Sequence, residues 1–176
     1  LPISLAAILA LLLFAEGVCF FLNRQKPAFR SEVIPAQPSF QVDDADLGYK
    51  PRANHRITAI NRYQDQTLFS AVYSIDEHSR RITPGQDGKA WGQFLLFFGD
   101  SFTFGEGVND DETMPYYVGQ AAHRYTVYNY GVPGYGPHQM LAKLEQDTVI
   151  DEVAGARSIL IYLFNDSQVA RAIGSM

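Results

Sequence analysis

The sequence predicts a mixed α/β protein: a parallel sheet with helices on its flanks, carried behind an apolar N-terminal helix and a short β-rich segment. Three observations lead there. Residues 1–22 form an apolar run with one charge, Glu16. Between residues 42 and 92, short β-prone runs alternate with Gly and Pro. From residue 93 the order becomes strand, turn, helix, repeated, with about three core strands.

Composition bounds what this architecture can do. The 176 residues, 47% hydrophobic and 19% charged, suffice for one modest domain. Fourteen basic against 19 acidic side chains leave a net charge of −5, with no basic stripe for a phosphate backbone, so a nucleic-acid partner is not expected. Cys19 is the only cysteine, and the four histidines lack zinc-ligand spacing. No metal and no cofactor are expected.

The first element, Leu1 to Leu22, has the length of a membrane-spanning helix. The alternatives are a buried helix and a signal peptide, but the apolar run continues through Phe20, Phe21 and Leu22 into Asn23 without a small-residue cleavage site. Arg24, Lys26 and Arg30 follow the span, which by itself favours a cytoplasmic side after it, but this cue does not decide topology. Residues 23–41, with Pro27, Pro35 and Pro38, are expected to be a juxtamembrane linker. Residues 1–30 carry +2 of the net −5, so the rest carries −7 and should stand off an anionic lipid surface.

Residues 42–92 hold β-like runs at Thr67–Tyr73 and Arg81–Thr83, broken by Gly48, Pro51, Pro84, Gly85 and Gly88, and predict a hairpin-rich preamble. His55 and His78 are expected to be solvated there. In the unit from 93 to 176, Phe94–Phe98 predicts a strand buried on both faces, Thr113–Arg124 a helix and Tyr125–Tyr130 a second strand. Pro137–Val153 predicts an amphipathic helix and Ser158–Phe164 a third buried strand. In a parallel sheet the ligand sits beyond the carboxyl ends of the strands.

Those ends carry a chemically coherent set. The first ends in Gly99-Asp100-Ser101, the second in Asn129-Tyr130-Gly131-Val132-Pro133-Gly134, the third in Phe164-Asn165-Asp166. A hydroxyl nucleophile, a glycine turn and a side-chain amide are what acyl transfer requires: an attacking oxygen and preorganised N–H donors for the tetrahedral oxyanion. Phe102, Phe104 and Tyr135 flank this set and can shape an acyl or glycan pocket.

These three blocks resemble those of the SGNH (GDSL-type) serine hydrolases, a superfamily of esterases and acyltransferases on a flavodoxin-like sheet. The resemblance covers about Phe94 to Asp166 and implies Ser101 as nucleophile, with its own N–H in the oxyanion hole. It implies Gly134 as the second oxyanion donor, with Gly131 as fallback, and Asn165 as the third. Asp100 and Asp166 are then loop-fixing carboxylates. Two departures stand out: Leu163 replaces the glycine of the family's Gly-x-Asn-Asp block, and no Asp-x-x-His block supplies the base. Neither His123 nor His138 has an Asp three residues earlier, although His138 follows the glycine loop. The chain is therefore expected to be a fragment, weakly active or inactive by itself.

Plainer roles compete at each position. Ser101 can be a helix N-cap, the glycines a tight turn, and Asn165-Asp166 a cap for the next helix. Glu106, Asp110, Asp111 and Glu112 lack calcium-loop spacing and suit a solvated loop. The expected function is a membrane-anchored, extracytoplasmic serine esterase or O-acyltransferase acting on acyl esters of envelope or exported carbohydrate. The alternatives are a catalytically inactive SGNH-like module that binds carbohydrate and a structural membrane-anchored domain.

Overall fold

The computed structural model describes residues 2–24, 29–86, 92–146, 148–153 and 156–172. Lys26, Pro27 and Gly88 of the expected linker and preamble lie outside the described residues.

Helix α1 (Pro2–Arg24) contains an 18-residue window, Leu5–Leu22, of mean hydropathy 2.5, with none of that window buried. At 1.5 Å per residue its 23 residues rise about 35 Å, enough to cross a hydrocarbon core.

The expected linker carries structure. Strand β1 (Phe29–Ile34) pairs antiparallel with β4 (His55–Tyr63), and β4 pairs antiparallel with β5 (Gln66–Ile75), in the order β1-β4-β5. The stretch Phe29–Ile34 lies between Pro27 and Pro35 and holds no proline, so all six residues can pair with β4. A separate hairpin joins β2 (Gln41–Asp44) to β3 (Gly48–Pro51). Of the run Arg81–Thr83, only Arg81 makes β-bridges, to Ile75 and Asn129.

The second sheet is parallel, in the order β7-β6-β8: β6 (Gln93–Phe98) lies between β7 (Thr126–Asn129) and β8 (Arg157–Tyr162). Between β6 and β7 come α2 (Ser101–Phe104), a 3₁₀ turn (Asp110–Glu112) and α3 (Met114–Ala121). The amphipathic stretch expected as one helix is two, α4 (Pro137–Glu145) and α5 (Thr148–Glu152); α6 (Ser167–Ala172) follows β8. Leu96 and Phe98 face α4 and α5, while Leu95 and Phe97 face α3, which is why β6 reads as continuously apolar.

β8 departs from expectation. It is an edge strand, with Ile159 49% and Leu160 45% exposed. An apolar run specifies a strand but not its place in the sheet, and among the described residues β8 pairs only with β6.

One buried cation joins the two sheets. Arg81, 1% exposed, uses all five of its N–H groups. Nε donates to Asp110 Oδ1 (3.1 Å), Nη1 to the carbonyls of Phe104 (2.8 Å) and Gly105 (2.5 Å), and Nη2 to those of Val72 (3.1 Å) and Val108 (2.6 Å). Its guanidinium carbon lies 4.4 Å from the Tyr73 ring centre and 4.7 Å from that of Phe104. Removing it takes the donor from four carbonyls, those of Phe104 and Gly105 in buried bonds, and from the Asp110 carboxylate. Arg81→Met is expected to cost about 3–5 kcal/mol of folding free energy in urea unfolding followed by circular dichroism. Arg81→Lys is expected to recover only a minor part, because a compact ammonium has three donors and no planar fork.

Candidate active site

β6 ends in a sharp turn. Gly99 has φ +153°, and a β-carbon there would overlap the Thr103 hydroxyl, so the turn into α2 needs glycine. Asp100, not Ser101, is the N-cap: its Oδ1 accepts from the Phe102 N–H at 3.0 Å. Ser101 is the first helical residue, half-buried, with its carbonyl accepting from Gly105 N and Glu106 N, each at 2.9 Å. Its hydroxyl is not the cap, and neither that hydroxyl nor its N–H has an acceptor among the described residues.

The Asp100 carboxylate is the centre of the site. It is 0% exposed, and its Oδ2 accepts from Asn165 Nδ2, Gln168 Nε2 and Arg171 Nη1, each at 2.8 Å. Burial pushes its pKa up, but these bonds, the Phe102 N–H and the Arg171 charge together hold it below the usual carboxylate range. Asp100 is therefore a fixed anion that orders the loops and is unsuited to accept a proton.

Asn165, which follows β8, reaches Asp100, the residue beside Ser101. Its Oδ1 accepts from Ser167 N (3.0 Å) and Ser167 Oγ (2.5 Å) at the start of α6, which aims Nδ2 toward Asp100. The amide oxygen thus caps the next helix, the plainer of the two roles expected for it. One of its two N–H groups is committed to Asp100. Asp166 does not fix the loop as expected: its side chain is exposed and has no partner among the described residues, since the adjacent Asn165 performs the capping.

The glycine turn is tied in by Arg171 and Tyr49. The Arg171 Nη1 that binds Asp100 also donates to the Tyr135 carbonyl at 2.9 Å, so this loop and the carboxylate lie within two hydrogen bonds of each other. Tyr49 Oη donates to the Pro133 carbonyl at 2.6 Å, and Tyr135 Oη donates back to the Tyr49 carbonyl. Gly134 has φ +86° and an N–H without an acceptor among the described residues. The Gly131 N–H is instead committed to Asn129 Oδ1 at 3.0 Å, and its backbone packs against Thr103 and Phe104. Gly134, not the fallback Gly131, has the available donor.

No histidine is bonded to Ser101. His138 is exposed on α4, its ring close to Gly136. His55 is half-buried rather than solvated, because β4 starts there against the sheet, and its Nε2 has no partner. His78 lies 3.3 Å from Glu152 and 3.4 Å from Glu77, in a cluster that also holds Arg80 and Tyr130. Asp110 and Glu112 are spent on Ser74, Arg81 and Asn109, and among the described residues no group of three His, Cys, Asp or Glu could hold a metal ion. Of the flanking aromatics, Phe104 and Tyr135 are buried and Phe102 is exposed.

Sequence reasoning missed Gln168, Arg171 and Tyr49. The first two had a signal: positions 165, 168 and 171 recur every three residues and lie along one side of a helix that begins there. Tyr49 had none, because its role depends on a hairpin packing against a loop 84 residues away. Searches against family models and against curated proteins found no match for this chain.

The depressed Asp100 pKa makes a signed prediction. A carboxylate titrating lower in the folded state than in the unfolded chain stabilises the fold fully above the unfolded value, about 4, and loses that contribution as pH falls through the folded value. Asp100→Asn is expected to lower the unfolding midpoint at pH 7. Its deficit against the wild type should shrink from pH 4 to pH 2, as measured by denaturant titration at each pH.

Proposed function

We propose that this chain is an SGNH-type serine esterase or O-acyltransferase built on a flavodoxin-like sheet. Its substrates are acyl esters of envelope or exported carbohydrate, and α1 holds it to a membrane with the α/β unit on the extracytoplasmic side. The single observation that carries the reading is the Asp100 carboxylate, which ties the residue beside Ser101 to Asn165 and, through Arg171, to the Gly134 turn. The strand order supports it as well. With β6 counted first, β7-β6-β8 is 2-1-3, the start of a flavodoxin-like order, and Ser101 and Asn165 flank the switch point where ligands bind in such sheets.

In the proposed chemistry, Ser101 Oγ attacks the ester carbonyl. Its proton leaves to water, and the oxyanion accepts from the N–H groups of Ser101 and Gly134 and from the second Asn165 amide N–H. Collapse breaks the ester C–O bond, the departing alkoxide takes a proton, and the acyl-serine passes its acyl group to water or to a sugar hydroxyl. Without a histidine on Ser101, acylation is slow. An oxyanion hole and binding leave about 10³–10⁴-fold catalysis over water in a serine protease stripped of its triad.

The free Ser101 hydroxyl also favours a second reading, a catalytically inactive module that binds acylated glycan. The test is covalent labelling of the chain by a fluorophosphonate, read by intact mass, together with release of nitrophenol from 4-nitrophenyl acetate. The enzyme reading expects slow labelling and turnover that disappear in Ser101→Ala, and a decrease of about 10²–10³-fold in Asn165→Ala. Absence of both signals in the wild type, with acylated-glycan affinity unchanged in Ser101→Ala, selects the binding module.

A further inference from the structure

We propose that α1 pairs in parallel with the α1 of a second copy of this chain, through a seam in which the two Glu16 carboxyls hydrogen-bond to each other inside the membrane. The inference rests on the membrane-spanning reading of α1 and is independent of the chemistry at Ser101.

Glu16 is the only charged residue in Leu5–Leu22, a window of which nothing is buried. Leu13 is the middle residue of α1, and Glu16 lies three residues beyond it, a rise of about 4.5 Å. With the helix centred in a hydrocarbon core about 30 Å thick, Glu16 sits about 10 Å below the nearer boundary. That boundary is at the C-terminal end of α1, whereas the Cα–Cβ bond of a helical residue tilts toward the N-terminus. The carboxyl therefore leans back toward the bilayer centre. Its short stem also lacks the length by which Lys and Arg reach an interface.

At that depth the carboxyl needs a hydrogen-bond partner. One turn away on the same helix stand Leu12, Leu13, Cys19 and Phe20. Three of these are hydrocarbon, the Cys19 thiol is a weak donor, and the backbone N–H groups are spent within the helix. Among the described residues none bonds to the Glu16 side chain.

A second copy supplies what is missing. Copies of one chain insert in the same direction, so a neighbouring α1 brings an identical carboxyl to an identical depth. A carboxylic acid donates through its O–H and accepts through its other oxygen, so two facing acids satisfy each other across a two-fold axis. Positions 5, 9, 12, 16 and 19 step by four and three, the a/d spacing of a two-stranded seam. They hold Leu5, Leu9, Leu12, Glu16 and Cys19, all exposed. One polar residue in such an apolar seam fixes its register and strand number. The same seam sets the two Cys19 side chains opposite each other, and Cys19 is the only cysteine of the chain.

The test uses the full chain in phosphatidylcholine vesicles. Energy transfer between donor- and acceptor-tagged chains is followed as lipid is added, and copper-phenanthroline oxidation is read on non-reducing gels. Energy transfer that saturates and a Cys19-linked dimer are the expected results. Glu16→Leu should weaken association about tenfold, whereas Glu16→Gln, whose amide also donates and accepts, should stay within about threefold of the wild type. On a Cys19→Ala background, Leu12→Cys should cross-link and Val18→Cys, on the opposite face, should not.

A wild-type chain that is monomeric at every lipid ratio overturns the proposal, and so does association unchanged in Glu16→Leu. Glu16→Gln as weak as Glu16→Leu, or equal cross-linking at positions 12 and 18, overturns it as well. Alkaline carbonate extraction of cell membranes separates the two claims. A chain released by the wash removes the membrane span and the pairing together, whereas a retained chain that stays monomeric removes the pairing alone.

Discussion

The Arg81 guanidinium is the joint on which the rest of the molecule hangs. A charge this deeply buried is tolerated only when every donor is satisfied, and here all five are, by atoms from β5, from the end of α2 and from the loop beyond it. Those acceptors belong to different elements, so the requirement is also a geometric one. The antiparallel sheet and the loop that follows Ser101 must meet at a fixed separation for the cation to be buried at all. Tyr73 and Phe104, 5.0 Å apart and nearly perpendicular, close the space around it.

Asp100 imposes a second constraint of opposite sign. Its carboxylate collects donors from the start of α2, the end of β8 and two positions on α6, and Arg171 extends the network to the Tyr135 carbonyl. The anion is thereby held ionised. The N–H groups of Ser101 and Gly134 have no acceptor among the described residues, Ser101 because it opens α2. Preorganised donors of this kind need no rearrangement when negative charge develops beside them. Asp100, Gln168, Arg171 and Asn165 form the holding network, while the Ser101 hydroxyl and the Gly134 N–H have no partner among the described residues.

Much of this was legible in the chain itself. Phe94–Phe98 announced a strand covered on both faces, and Leu95 and Phe97 pack against α3 while Leu96 and Phe98 pack against α4 and α5. The strand end at Gly99-Asp100-Ser101 was visible too, whereas the need for glycine to clear Thr103 shows only in the fold. β1 was not legible: Phe29–Ile34 lies beside proline-rich sequence, and only its six-residue register with β4 makes it a strand. The edge position of β8 was hidden for a related reason, since side-chain hydrophobicity does not say which strands will be neighbours.

The sequence by itself determined the apolar helix, the alternation of strands and helices, and the chemical types present at three strand ends. These depend on short-range periodicity and on backbone freedom at single residues. Only the tertiary structure decided that Asp100 is a hub instead of a capping residue alone, and that Gly134 rather than Gly131 has an available N–H. It likewise decided that Asp166 stays out in solvent and that Tyr49 steadies the glycine turn. The physical reason is that a hydrogen bond requires a donor and an acceptor within about 3 Å, and residues 60 to 90 positions apart reach that distance only once two sheets and their loops have packed.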